Sequence, residues 1–308
     1  MALNIAHRGG ADLWPENTMA AFAGAIACGA DGAELDVHLS RDGEVIVFHD
    51  EALKPEIVRE SGGRWLAATG PLLKDLSYAE LKLFDVGRLK PGTAYARRHP
   101  RQEAHDGERI PRLADVIALA KAGSPSFQLW IELKTDLLNG ERGADPVALA
   151  DAALDVVETS GFAPRTVFVS FDWRSLKRVR QRAPGIRIYA TTLPRSWFEA
   201  GQPPPEDGPP PPAELAQWRH AWAGGAPWEA GANSCAHASY PEAVAVLGAD
   251  GWFPFHRDVT PESMAKARSC GLAVAAWTVP AKAQNHLISL GVGAICTDDP
   301  TTFGNITS

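Results

Sequence analysis

Apolar and polar positions follow two rhythms along the chain, and the two take turns. Strand-like runs occupy residues 3–7 (LNIAH), 32–38 (GAELDVH), 45–49 (VIVFH), 127–133, 166–170, 186–191, 252–255, 272–277 and 293–296. Helix-period segments fall between them at 18–28, 112–122, 146–160, 172–182, 261–269 and 281–289. Asn17 is the expected N-cap of the first helix and Gly29 its stop. Residues 40–43 read as a turn that sends 45–49 back along the preceding strand. Strand–helix alternation of this kind predicts a parallel α/β sheet, and close to eight βα units predict closure into a TIM (β/α)8 barrel.

Two stretches break the rhythm. Residues 51–110 are rich in glycine, proline and charge, with one short helical pattern near 77–84, and read as an insertion within a single barrel domain covering 1–308. Residues 203–212 (PPPEDGPPPP) hold seven of the 24 prolines, so this segment favours extended polyproline II and cannot be a barrel helix. Trp197, Trp218, Trp222, Trp228 and Trp252 lie around or after it. The segment is a surface loop packed by aromatics or a lid over the catalytic mouth, where loops after barrel strands lie.

Composition narrows the class. At 308 residues, one barrel with an insertion fits as well as two domains. The 45% apolar and 22% charged shares are ordinary for a globular protein and exclude a disordered or coiled-coil chain. No apolar run approaches the roughly 18 residues of a membrane span, so no stable membrane insertion is expected. The first residues carry no basic and apolar leader, which points to the cytoplasm, or to the periplasm if a signal was trimmed. A net charge of −7 without a basic stripe argues against nucleic acid as a partner. Cys28, Cys235, Cys270 and Cys296 form no CxxC pair and read as reduced core thiols.

Candidate chemistry gathers at strand ends. Glu34 and Asp36 share one face of a strand, while Leu35 and Val37 face the other layer. Two neighbouring carboxylates repel unless a cation neutralises them; the alternative is a solvated acid pair. In Trp130–Lys134, Trp130, Glu132 and Lys134 share a face, and a glutamate inside LWIEL is poorly explained by packing. Glu132 can then converge with Glu34 and Asp36 on one cation, or pair with Lys134 as a structural ion pair. His7 and His49 end strands, where barrel catalysis is built, and imidazole exchanges protons near neutral pH. Arg8 offers a planar donor fork suited to phosphate. His38 lies one step above the acid pair on the same face; His99, His105, His220, His237, His256 and His286 read as surface or structural residues.

These motifs occur in order: HRGG (7–10), PENT (15–18), ELDVHLSRDG (34–43), VIVFHD (45–50), IELK (131–134), AWTV (276–279) and TDDP (297–300). Together they resemble the glycerophosphodiester phosphodiesterase family over nearly the whole chain, specifically its bacterial branch with a long insertion after the second strand. The resemblance implies a TIM barrel that hydrolyses glycerophosphodiesters to sn-glycerol 3-phosphate and an alcohol. It implies His7 and His49 as the acid/base pair, and Glu34, Asp36 and Glu132 as ligands of a divalent cation, Mg2+ or Ca2+. Arg8 and Lys134 match positions near the phosphate, and Trp277 an aromatic at the floor of the site. Pro280 departs from the asparagine common after WTV, which touches loop contacts rather than class. The resemblance also allows attack by the substrate's own 2-hydroxyl through a cyclic phosphate. Rival readings are a broader phosphodiesterase, a lysophospholipase D-like enzyme, or a catalytically silent phosphodiester-binding barrel. Oligomeric state is not legible.

Overall fold

The computed structural model describes residues 2–137, 140–197 and 239–304. The proline-rich stretch 203–212, its lid reading, Trp218, Trp222, Trp228, Cys235, His220 and His237 lie outside the described residues.

Nine strands form one sheet: β1 (Leu3–Ala6), β2 (Gly32–Leu39), β3 (Val45–Val47), β4 (Gln128–Leu133), β5 (Thr166–Ser170), β6 (Arg187–Thr192), β7 (Gly251–Pro254), β8 (Ala273–Ala276) and β9 (Ala294–Thr297). Eight are parallel, in the order β1-β9-β8-β7-β6-β5-β4-β2, and β1 pairs with β2 to close the barrel. β3 is the antiparallel extra strand, turned back on β2 as the turn residues at 40–43 predict. Helices stand between strands on the outside, as expected for a TIM barrel.

Strand alternation divides the core. Leu35 and Val37 of β2 and Ile131 and Leu133 of β4 face outward into the large cluster under the helices. Ile5, Trp130, Val167, Val169, Phe253, Phe255, Ala275, Trp277 and Cys296 fill the barrel's interior. β2 and β4 run in register, with Glu34 opposite Trp130 and Asp36 opposite Glu132. The register therefore sets Glu34 level with the interior residue Trp130, and Asp36 and Glu132 one inward-facing step higher, toward the C-terminal ends of the strands.

HRGG ends the first strand early: β1 stops at Ala6, and His7–Gly9 form a 3-10 turn. Arg8, Gly9 and Gly10 all take positive φ. Gly9 is required twice over, because a Cβ there would lie 2.7 Å from the Cβ of Ala21 on the helix Met19–Ala27. That helix is capped by Thr18, whose side chain accepts from the Ala21 N–H, and not by Asn17. Asn17 sits in left-handed backbone with φ 58° and its side chain is engaged elsewhere.

Between β3 and the helix Leu113–Gly123, the chain packs round its own apolar cluster of Ile46, Phe48, Leu53, Ile57, Val58, Leu73, Leu81, Val86 and Ile110. It carries two short helices, Tyr78–Leu81, at the expected place, and Ala94–Arg98, which the sequence pattern does not reveal. Cys296 is a core thiol as expected, whereas Cys28 is exposed and Cys270 half-buried. Each caps the C-terminus of a helix, and Cys270 still packs its side chain against the edge of the large cluster. Among the described residues, no helix is long and apolar enough to cross a membrane.

Candidate active site

The C-terminal strand ends open into a cavity of about 1210 Å3. His7, Arg8, Glu34, His49, Glu132, Lys134 and Trp277 all line it. Asp36 lies just beneath, almost fully buried. All eight residues singled out in the sequence are therefore brought to one end of the barrel.

Glu34, Asp36 and Glu132 each present an oxygen within 4.8 Å of the others. Around them the cations are placed by strand ends. Lys134 Nζ is 2.9 Å from Glu132 and 3.5 Å from Asp36. Arg8 Nε lies 3.5 Å from Asp36, its backbone N–H donates to Glu34 Oε2 at 3.0 Å, and its Nη1 donates to Glu16 at 3.1 Å. The left-handed turn at Arg8 aims that N–H at the glutamate.

Charge is unevenly shared. Burial and then the Asp36 charge push the Glu34 carboxyl up to about 8. Burial acts on Asp36 too, but Lys134, His49 and Arg8 outweigh it and hold this carboxyl well below the usual range. Lys134 and Arg8 are both raised, since their carboxylate neighbours overcome burial. Glu34 Oε1 is buried without a hydrogen-bond partner. An orphaned carboxylate oxygen beside two further carboxylates fits a hard divalent cation, which supplies the missing positive charge.

The histidines are held differently. His7 Nδ1 lies 2.6 Å from Asp298 Oδ1, and His7 Nε2 faces Glu34 Oε2 at 3.8 Å. Burial pulls the imidazole down, but Asp298 more than offsets it and raises its pKa. His49 Nδ1 is 3.2 Å from Asp50, a carboxylate shared with Lys54 at 2.5 Å. His38 contacts the His49 backbone carbonyl through Nε2 at 3.2 Å; burial lowers its pKa to about 4.

Several contributors were not assigned from sequence. Asp298 belongs to TDDP, whose place after a barrel strand was its one available signal. Asn17 donates to Asp36 Oδ2 at 2.8 Å and accepts the Asp36 N–H at 3.3 Å. Tyr95, from the segment after β3, donates to Glu16 and so buttresses the residue that holds Arg8. His99 is not a bland surface histidine: it is mostly buried at the cavity wall, with Nδ1 2.7 Å from Asp12. His256 is buried as well, its ring 4.3 Å from that of Phe255.

Opposite the charged wall stands an apolar one. Trp277 packs on Phe255 and Phe171 at ring separations of 4.9 and 5.9 Å, and its indole N–H donates to the Thr192 carbonyl at 3.2 Å. Leu137, Leu193 and Trp197 continue this surface with Phe171.

The profile of the glycerophosphoryl diester phosphodiesterase family matches residues 7–302. A glycerophosphodiester phosphodiesterase of Caldanaerobacter subterraneus subsp. tengcongensis is 28% identical over 305 residues, covering 99% of this chain and 97% of that relative. The crystal structure of a candidate glycerophosphoryl diester phosphodiesterase from Silicibacter pomeroyi superposes with a TM-score of 0.80 at 30% identity, covering 98% of this chain and 91% of the other. An Oleispira antarctica phosphodiesterase, solved with the product sn-glycerol-3-phosphate, shares the fold at a TM-score of 0.64 and 20% identity, covering 96% of this chain and 93% of its own. The chain belongs to the glycerophosphoryl diester phosphodiesterase family.

Proposed function

We propose that this glycerophosphodiester phosphodiesterase works through one divalent cation and a histidine pair, releasing sn-glycerol 3-phosphate and an alcohol. One observation carries the proposal: three carboxylates converge within 4.8 Å, flanked by His7 on one side and Lys134 on the other. Glu34, Asp36 and Glu132 would hold Mg2+ or Ca2+, both oxygen-seeking ions. When bound, the cation supplies Lewis-acid stabilisation of the charge that builds on the phosphoryl oxygens.

The chain's own groups do the rest. Lys134 spends two directions on carboxylates and keeps a donor for a phosphate oxygen. Arg8, fixed by Glu16, orients the same group. His7 Nε2 takes the proton of the attacking hydroxyl, whether of water or of the substrate's 2-hydroxyl. His49 protonates the departing alkoxide, the division suggested by its place beside the segment after β3, whose Tyr95 and His99 line the cavity. The apolar wall of Phe171, Leu193, Trp197 and Trp277 supports a second reading, in which the enzyme also takes lysophospholipids.

The test is a substrate panel after chelation and re-addition of single metals. Activity on glycerophosphocholine that vanishes with chelator and returns with Mg2+ or Ca2+ is the expected result. Full activity in excess chelator, with no metal by elemental analysis, overturns the cation's role. Choline release from lysophosphatidylcholine decides the second reading.

A further inference from the structure

His7 and Asp298 sit at the ends of strands that barrel closure makes neighbours. β1 and β9 pair in register, Ala6 beside Thr297, so the residue after each strand stands at the same height at the mouth. There the His7 Nδ1 and Asp298 Oδ1 atoms are 2.6 Å apart. A carboxylate only accepts, so Nδ1 carries the proton of this bond and Nε2 becomes the working atom. Nε2 is the nitrogen that faces the acidic cluster. Arg8 and His99 face the same Asp298 carboxylate and favour its charged form.

His49 has no equal support. Its carboxylate partner is the next residue in the chain, sits farther away, and is already engaged by Lys54. Only one histidine of the pair is therefore held by a carboxylate delivered from a distant strand.

We propose that Asp298 is a positioning residue for the hydrolysis. It fixes the His7 ring with Nδ1 protonated, aims Nε2 at the reacting phosphate, and balances the imidazolium charge while Nε2 holds the transferred proton. One proton moves, from the attacking oxygen to Nε2, and Asp298 stays ionised throughout. This rests on the acid/base role assigned to His7 above.

Asp298→Asn is the decisive variant, because its amide can donate to Nδ1 and so stabilise the opposite tautomer. Kinetics on glycerophosphocholine, with saturating divalent cation, should show kcat falling about 10²- to 10⁴-fold with KM nearly unchanged. Metal content should equal that of the parent protein. The nitrophenyl ester of glycerol phosphate supplies the second readout: the ratio of losses on the two substrates should copy that of His7→Ala. The double variant should be no slower than His7→Ala alone, since Asp298 acts through that ring. If Asp298→Asn folds poorly, ¹⁵N shifts of histidine-labelled parent protein replace it, with neutral His7 protonated at Nδ1. Parent-like kcat in Asp298→Asn beside an inactive His7→Ala, additive losses in the double variant, or a neutral His7 protonated at Nε2 would overturn the proposal. An active His7→Ala would instead sink the role of His7 itself.

Discussion

Asn17 offers the sharpest test of how the acid cluster is held. Its side chain grips Asp36 twice, donating at 2.8 Å to the carboxylate and accepting the backbone N–H at 3.3 Å, in a site that is nearly dry. A hydrogen bond to a buried charge contributes about 1.5–3 kcal/mol, and the longer backbone bond roughly 0.5–1. Asn17→Gly keeps the left-handed backbone and removes both bonds, so it should cost about 2–4 kcal/mol. Asn17→Asp keeps volume and backbone tolerance but replaces the N–H donor with a fourth acid against Asp36. Two charges about 4 Å apart repel by roughly 4 kcal/mol at an effective dielectric of 20, and protonation caps the cost near that value. Without a cation, Asn17→Asp should therefore be the less stable of the two. A divalent cation at Glu34, Asp36 and Glu132 offsets this repulsion but restores no lost hydrogen bond. Urea unfolding in chelator and in Mg2+ measures both stabilities. The gap between Asp and Gly variants should narrow by at least about 1 kcal/mol when the cation is added. A gap that does not change with metal, or an Asn17→Asp as stable as the parent in chelator, refutes the reasoning.

Glu132→Gln should lose turnover by at least about 10²-fold, yet remain folded by circular dichroism, because relief of carboxylate repulsion offsets the weakened cation site. Tyr95→Phe should raise KM for glycerophosphocholine by a factor of about 3–10, because Glu16 loses a donor and Arg8 loosens; an unchanged KM removes the link between the segment after β3 and the phosphate. Trp277→Ala should destabilise by about 3–5 kcal/mol through lost packing on Phe255 and Phe171, so its kinetics must be read beside a melting curve.

What the sequence made legible follows from range. The acid pair on β2 is a local matter of strand period, and so is the outward face of Leu35 and Val37. That Glu132 meets them could be anticipated as a possibility of barrel closure, but the register that sets Asp36 opposite Glu132 belongs to the folded sheet. Asp298 and His7 are 291 residues apart, joined only when β9 meets β1, so no local pattern announces their bond. Asn17 misled for a physical reason: an asparagine before a helix usually caps it. Here Thr18 takes the cap, and the asparagine is free to tolerate left-handed backbone and bind Asp36. The helix Ala94–Arg98 is too short to show a period, yet it brings Tyr95 to the site.

Backbone strain completes the picture of where this barrel spends stability on function. Among the described residues, the non-glycine positions with positive φ are Arg8, Asn17 and Thr278. Each is at the catalytic end: Arg8 and Thr278 line the cavity, and Asn17 grips Asp36 beneath it. Left-handed backbone costs about 1–2 kcal/mol for residues other than glycine and asparagine, and more concern attaches to a β-branched threonine. A fold selected for stability alone would place glycine at 8 and 278. At Arg8 the reason for a side chain is visible, since one residue supplies a backbone donor to Glu34 and a guanidinium beside Asp36. Only the left-handed turn sends both to the same cluster. The flanking Gly9 and Gly10 carry the rest of that turn, where the approach of the helix at Ala21 leaves no room for a Cβ at Gly9. HRGG is thus one device: a histidine fixed by the far end of the chain, an arginine held in strained backbone, and two glycines that let the chain bend round them.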